Sequence, residues 1–289
     1  MNRPGPSVVV SGAFDDLHSH QVRFLEEAAK LGRLTVLVWP DELVQSQTGE
    51  SPKFPLAERL YLLRGIRYVS CALAAEGLED GNRLPALSPP GPWVWADEEC
   101  SANELRQGFS KKAGLQYHVL PAARMAGFPE ATAQIAASTR KKVVVTGCYD
   151  YFHSGHVRFF EEASAYGELY VVVGHDVNVR LLKGEGRPLF PGVERRYLCG
   201  SVKHVTAALL STGTGWLDAE PEIRQLKPQL YIVNEDGDKG GKREFCEQVG
   251  MEYLVLKRSP APGLQGRCST DLRRSYPCQR PSHAPARNC

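Results

Sequence analysis

His153-Ser154-Gly155-His156 is the stretch of this chain whose residue types and spacing best suit phosphate. The two histidines are three residues apart, which on a helical turn puts both imidazoles on one side. Gly155, between them, has no side chain, so a ligand can approach the backbone. The β-branched run Val143-Val144-Val145 precedes them, and Val157, Phe160, Ala163 and Ser164 follow at helical spacing. The histidines therefore stand where a strand passes into a helix. A helix N-terminus presents unpaired N–H groups and a partial positive charge to an anion. Together the two histidines, the bare backbone and the helix terminus suit a triphosphate cradle.

The elements that must position them occur twice. VVVSGAFDDLHSHQVRF begins at Val8, and VVVTGCYDYFHSGHVRF begins at Val143, 135 residues further on. The match continues through Glu26-Glu27-Ala28 against Glu161-Glu162-Ala163 and Gly32 against Gly167. After one added residue, Phe54-Pro55 and Glu58-Arg59 match Phe190-Pro191 and Glu194-Arg195. A repeat of this kind fixes the architecture. In the second copy the pattern predicts helices at 193–202 and 242–249 and strands at 169–173, 230–233 and 253–256. Strands alternating with helices predict an α/β chain with a parallel sheet covered on both faces in each copy. The expected organisation is a degenerate domain at 1–124, a linker at 125–141, an intact domain at 142–274 and a disordered tail at 275–289, which holds three prolines.

Gly147-Cys148-Tyr149-Asp150 followed by His153-Ser154-Gly155-His156 resembles the opening motif of the nucleotidylyltransferase superfamily, most closely cytidylyltransferases that act on phospho-alcohols. The resemblance covers most of both halves and implies two tandem Rossmann-like domains. It also implies a site in which Thr146, Gly147, Cys148, Tyr149, Asp150 and Gly155 contact nucleotide. Lys183-Gly184 stands where the family places a phosphate-binding lysine. Arg258 with Cys268-Ser269-Thr270 looks like a stretched form of the family's closing element, and Arg267 is the alternative to Arg258. The reaction implied is transfer of a nucleotidyl group, CMP from CTP, to a small phosphomonoester with release of pyrophosphate and with Mg²⁺ accompanying the triphosphate. An adenylyltransferase using ATP and a nucleotide-binding regulator without turnover are the alternatives.

The first copy departs where the chemistry lies. His18-Ser19-His20-Gln21 replaces the glycine and the second histidine, and Thr48 replaces the lysine. Residues two apart on a helix do not share a face, so His18 and His20 do not substitute for the pair. A fold-retaining but silent half is expected, with a packing or dimerising role.

Other residues have plainer readings beside the functional one. Asp150 either binds ligand or holds its loop through the backbone. Ser269 and Thr270 can cap a helix and still touch phosphate. The acidic stretch at 234–239 lacks the spacing of a calcium loop and reads as a turn bordering the site. Trp216 and Asp218 could line a pocket, and His175 and Asp176 could face it.

Composition excludes several classes. The chain is 42% hydrophobic and 24% charged with a net charge of +2, which is globular and shows no basic stripe for nucleic acid. No apolar run is long enough to span a bilayer, and residues 1–7 lack a signal-peptide pattern, so a cytoplasmic protein is expected. The eight cysteines form no closely spaced pair, against a zinc site or a disulfide framework. The family resemblance makes a homodimer or an intramolecular pseudo-dimer the expected assembly.

Overall fold

The computed structural model describes residues 6–129 and 139–275. The chain separates into two compact units, the first ending at Gly127 and the second beginning at Phe128. Residues 130–138 of the expected linker and 276–289 of the expected tail lie outside the described residues. Ser275 was assigned to that tail and instead ends a helix.

In the first unit the order is β1 (Ser7–Gly12), α1 (Ser19–Ala29), β2 (Arg33–Val38), α2 (Asp41–Thr48), α3 (Leu56–Gly65), β3 (Cys71–Ala74), β4 (Trp93–Glu98), α4 (Glu104–Lys112) and β5 (Gln116–Leu120). The strands form one sheet in the order β3-β2-β1-β4-β5, all parallel. The second unit runs β6 (Lys142–Gly147), α5 (Ser154–Ser164), β7 (Glu168–Val173), α6 (Asp176–Lys183), α7 (Gly192–Gly200), β8 (Ala207–Leu210), α8 (Glu220–Leu226), β9 (Leu230–Asn234), α9 (Lys242–Val249), β10 (Glu252–Leu256) and α10 (Ser269–Ser275). Its sheet, β10-β9-β6-β7-β8, is the same arrangement. Both units are Rossmann-like, as the repeat implies.

The central strands are apolar on both faces because helices cover both sides. Val143, Val144 and Val145 are buried, as are Val171, Val172 and Val173, and Val8, Val9 and Val10 match them in the first unit. Three elements of the second unit escaped the sequence pattern. β8 is a four-residue Ala-Ala-Leu-Leu strand, too short to show a period. Helix α6 leaves Val177 and Leu181 exposed, which blurs its apolar face. Helix α8 is seven residues with a proline in its first turn.

The repeat also fixes how each strand end is tied down. Buried Arg195, on α7, donates from Nε to the Phe190 carbonyl (2.9 Å), from Nη1 to that of Cys148 (2.6 Å) and from Nη2 to that of Gly174 (2.8 Å), and it pairs with Asp176. Arg59, on α3, makes the matching bonds to the carbonyls of Phe54 and Ala13 and pairs with Asp41. Each arginine joins the turn after the first strand to the loop before its own helix. In open α/β sheets the crevice at such strand ends, where chain order reverses, is where ligands bind. In the second unit that point lies between β6 and β9.

Candidate functional site

The turn from β6 into α5 is strained in a way that sets the site. Tyr149 has φ of 52°, and its counterpart Phe14 has 47°. A non-glycine residue with positive φ is uncommon and persists only where its surroundings hold it. Here the buried Tyr149 ring meets the His156 ring edge-on at 5.2 Å and Phe160 at 5.1 Å. Gly147 is required beneath it, since a Cβ there would lie 2.8 Å from the tyrosine ring. Tyr149 therefore positions His156.

His153 and His156 stack, with ring centroids 4.0 Å apart and planes 23° from parallel. His153 is the N-cap of α5, and its Nδ1 accepts the Gly155 N–H at 3.1 Å. That bond places the ring proton on Nε2, which lies 3.1 Å from Ser269 Oγ and donates to it. The Ser269 hydroxyl in turn donates to the Tyr151 carbonyl at 3.2 Å. His153 thus differs from the expectation of a free donor: its one proton already holds α10 to the start of α5. In His156, Nδ1 is buried without a partner, which leaves Nε2 as the nitrogen facing the cleft. Gly155 also has a reason beyond ligand approach. A Cβ there would lie 2.9 Å from the His153 ring, so the glycine makes room for the histidine.

Both rings are neutral. Burial, with Arg258 and Arg267 nearby, pushes His153 down to about 3. Burial, then His153, Arg258 and Lys183, holds His156 well below the usual histidine range. Two outcomes follow. The pH profile of kcat shows no histidine ionisation near 6.5, because neither ring gains a proton there. The unfolded chain does bind a proton at His153 near 6.5, whereas the folded chain binds it only at about 3. The unfolded state therefore carries more protons between these values, and stability falls as pH falls through that window. Thermal melts of wild type and His153→Gln across it check the sign: the variant loses less stability on acidification.

A cleft of about 460 Å³ at the strand ends of the second unit gathers the histidine, lysine and nucleotide-contact residues expected from sequence, while Arg267, the alternative to Arg258, is not among its lining residues. Thr146, Gly147, Cys148, Tyr149, Asp150, His153, Gly155, His156, Lys183, Arg258, Ser269 and Thr270 all line it. Their roles divide once the bonds are drawn. The Thr146 hydroxyl pairs with the Tyr231 hydroxyl at 2.6 Å, and the Cys148 carbonyl is held by Arg195. Asp150 is buried and accepts the N–H groups of Leu189 (2.6 Å) and Phe190 (3.2 Å) on Oδ1, with Arg187 at 3.4 Å from Oδ2. Of the two readings of Asp150, the structure supports the loop tether. Asp15 does the same in the first unit, accepting from Lys53 at 2.7 Å and Phe54 at 2.9 Å. Arg258 pairs with Asp236 at 3.0 Å and donates to the Arg267 carbonyl, so its guanidinium ties the closing segment together. The cap of α10 is Cys268, whose thiol accepts from the backbone of Asp271 and Thr270, rather than Ser269 or Thr270.

Lys183 ends α6, is exposed, and makes no ion pair among the described residues. His175 was a candidate to face the site and instead caps α6, its Nδ1 accepting from Asn178 N–H at 3.3 Å and its Nε2 lying 2.8 Å from the Gly213 carbonyl. Asp176 pairs with Arg195. Trp216 and Asp218 do line the cleft. Sequence reasoning missed Arg187, Asn178 and Lys242, which line it as well, and Lys239, from the stretch read as a turn bordering the site, lines it too. Arg187 was detectable: the first copy has Ser51 at its aligned place, so the copy without the histidine pair lacks both cations.

The first unit shows what replaces the cradle. Asp16 stands where the second unit has Tyr151 and pairs with Lys53 and with His18 (3.3 Å). An anionic side chain there opposes phosphate.

No helix among the described residues is long and apolar enough to cross a membrane. A family model described as cytidylyltransferase-like matches residues 144–262. FAD synthase from Ferroglobus placidus (strain DSM 10642 / AEDII12DO) is 37% identical over 120 residues, covering 40% of this chain and 75% of the relative. Bifunctional protein HldE from Pseudomonas fluorescens (strain Pf0-1) is 33% identical over 155 residues, covering 53% of this chain, which spans only 30% of that relative's length. A crystal structure of the lipopolysaccharide core biosynthesis protein from Thermoplasma volcanium GSS1 aligns at 24% identity with a TM-score of 0.36, over 42% of this chain and 98% of that one. The chain belongs to the cytidylyltransferase-like family of nucleotidyltransferases.

Proposed function

We propose that the second unit transfers a nucleotidyl group from a nucleoside triphosphate to a small phosphomonoester. The observation that carries this reading is the stacked pair of neutral imidazoles at the N-terminus of α5, sharing one cleft with Lys183 and Arg187. An oxygen of the acceptor phosphate attacks the α-phosphorus. The new P–O bond forms as the bond to the β-phosphate bridging oxygen breaks, and pyrophosphate leaves. Such catalysis is mostly positioning and stabilisation of charge on phosphoryl oxygens. His156 donates Nε2–H toward the α-phosphate, and Lys183 and Arg187 balance the leaving pyrophosphate. His153 positions α10 and the helix start. The first unit is a silent half.

The donor set fits a triphosphate-borne Mg²⁺. Among the described residues no group of three His, Cys, Asp or Glu side chains could hold a metal by itself. Mg²⁺ at nucleotide sites is typically held by phosphate oxygens and water with one or two carboxylates; of the cleft carboxylates, Asp150 is held by its loop and Asp236 by Arg258, so Asp218, whose Oδ2 accepts from the Ser211 hydroxyl at 2.6 Å, is the one that would contribute. When bound, the ion would neutralise charge on the phosphates.

The nucleotide is CTP on the motif resemblance. ATP is the second reading, favoured by the relative named FAD synthase, whose product contains adenylate. Pyrophosphate release from MgCTP and from MgATP, measured against a panel of phosphomonoesters, tests both. Release with one nucleotide and one acceptor supports the reading. No release, together with no rise in melting temperature on adding either nucleotide, sinks it.

A further inference from the structure

The first unit contains a closed charge cluster that the second unit reproduces with its carboxylate moved from the strand to the loop that follows it. Arg106 lies over the Trp95 ring at 5.7 Å, and its Nη1 donates to both oxygens of Asp97 at 2.8 and 2.7 Å. Tyr117 meets Trp95 edge-on at 5.7 Å and donates its hydroxyl to Asp97 at 2.8 Å. Strand register identifies the counterparts. Trp95 pairs with Val9 and Tyr231 with Val144, and Val9 and Val144 hold the same place in the repeat. Counting on, Val233 answers to Asp97, Lys242 to Arg106 and Tyr253 to Tyr117. The geometry agrees: Lys242 Nζ lies over the Tyr231 ring at 6.0 Å, and Tyr253 meets Tyr231 edge-on at 5.9 Å.

What the second unit lacks is a carboxylate at the Asp97 position: the Tyr253 hydroxyl donates instead to Asp238, on the following loop, at 2.8 Å, and Asp238 pairs with Arg243 at 3.4 Å, leaving Lys242 without a direct ion pair. Lys242 is 8% exposed, and burial lowers its pKa. Its Nζ donates to the Gly237 carbonyl at 3.1 Å. Asp218, Asp236 and Asp238 face it at longer range, and it makes no ion pair among the described residues. A buried charge without a counter-ion is costly. Unlike Arg106, which Asp97 pairs with directly, Lys242 opens onto the cleft, as does Lys239, whose Nζ lies over the Trp216 ring at 5.3 Å. Lys183 and Arg187 follow β7, on one side of β6, and Lys242 follows β9, on the other. The cleft thus has two separate sets of cations, and the proposed reaction brings two separate phosphate groups.

We propose that Lys242, with Lys239 beside it, binds the phosphate of the acceptor, which supplies the counter-charge that Asp97 supplies to Arg106 in the first unit. This rests on the nucleotidyl-transfer reading, and the test separates the two. In the full chain, acetylation of individual lysines is followed by mass spectrometry. MgCTP or MgATP slows modification of Lys183 and leaves Lys242 unchanged. Inorganic phosphate, added with the nucleotide present, then slows modification of Lys242 several-fold. An unchanged rate at Lys242 in phosphate overturns the proposal, as does protection of Lys242 by nucleotide alone. Protection of Lys242 by phosphate while neither nucleotide protects Lys183 upholds the anion site and removes the nucleotide reading.

Two variants sharpen the result. Lys242→Met keeps a long side chain against Tyr231 but removes the charge. It raises KM for an accepted phosphomonoester about ten- to a hundredfold, the range for losing a charged hydrogen bond, and leaves KM for the nucleotide unchanged. Val233→Asp restores the missing carboxylate and occupies Lys242 internally. It abolishes phosphate protection of Lys242 without lowering the melting temperature. Retained protection in a folded Val233→Asp protein defeats the proposal even where Lys242→Met does not fold.

Discussion

Turnover by the His156→Ala variant falls about 10²–10³-fold, the range for removing one preorganised donor from developing charge on the reacting group. The structure gives the reasons this donor is preorganised. The ring stacks on His153 at 4.0 Å, and the Tyr149 edge holds it from another side. Its buried Nδ1 has no partner, so the proposed donation runs through Nε2. A neutral ring with a fixed N–H needs no reorganisation as the transition state forms, and it does not change charge as pH passes through the ordinary histidine range. The change appears in kcat more than in the nucleotide KM, since the bond strengthens as charge builds on the α-phosphate. A variant with wild-type kcat takes His156 out of the mechanism. A His156→Gln variant, which keeps an N–H donor, recovers part of the loss if donation is the role.

Arg195→Met destabilises the second unit by about 3–5 kcal/mol, the cost of breaking a buried charged network by removing one partner. Arg195 is 2% exposed and is the donor to three carbonyls, those of Phe190, Cys148 and Gly174, besides pairing with Asp176. Methionine fills much of the volume but leaves those acceptors buried and without this donor. Urea unfolding reads the effect as a lower midpoint. Two of the carbonyls belong to residues lining the cleft, Cys148 and Gly174. Nucleotide-induced stabilisation therefore weakens in the same variant under conditions where it remains folded. Arg59→Met tests the same device in the first unit, where nucleotide stabilisation is untouched. An Arg195→Met midpoint equal to wild type shows that the clamp is dispensable.

The legible parts of the site were those with local causes. His153, Gly155 and His156 lie within four consecutive residues, so one helical turn brings them together without help from the rest of the chain. Asp150 was readable as either a ligand contact or a loop tether, and only the position of Leu189 and Phe190 chose the tether. His175 was assigned by its place at a strand end, but the side chain turned to cap its own helix. Ser269 was placed in the closing element by type, yet its bond to His153 joins residues 116 apart in sequence and could not be read from spacing. Lys242 carried no motif at all. Its meaning came from comparison with Arg106, once sheet register had aligned the two clusters.

From the sequence alone came the duplication, the α/β alternation, the parallel sheets and the turn that brings His153, Gly155 and His156 together, because each is written in short-range periodicity or in a repeat of residue types. The tertiary structure alone decided which side chains are spent on the fold and which are left for a ligand. That division depends on hydrogen bonds and burial between segments distant in the chain: Asp150 and Arg195 are consumed internally, while His156 Nε2, Lys183 and Lys242 face the cleft. A residue's type states what chemistry it can do, and its partners determine whether that chemistry remains available.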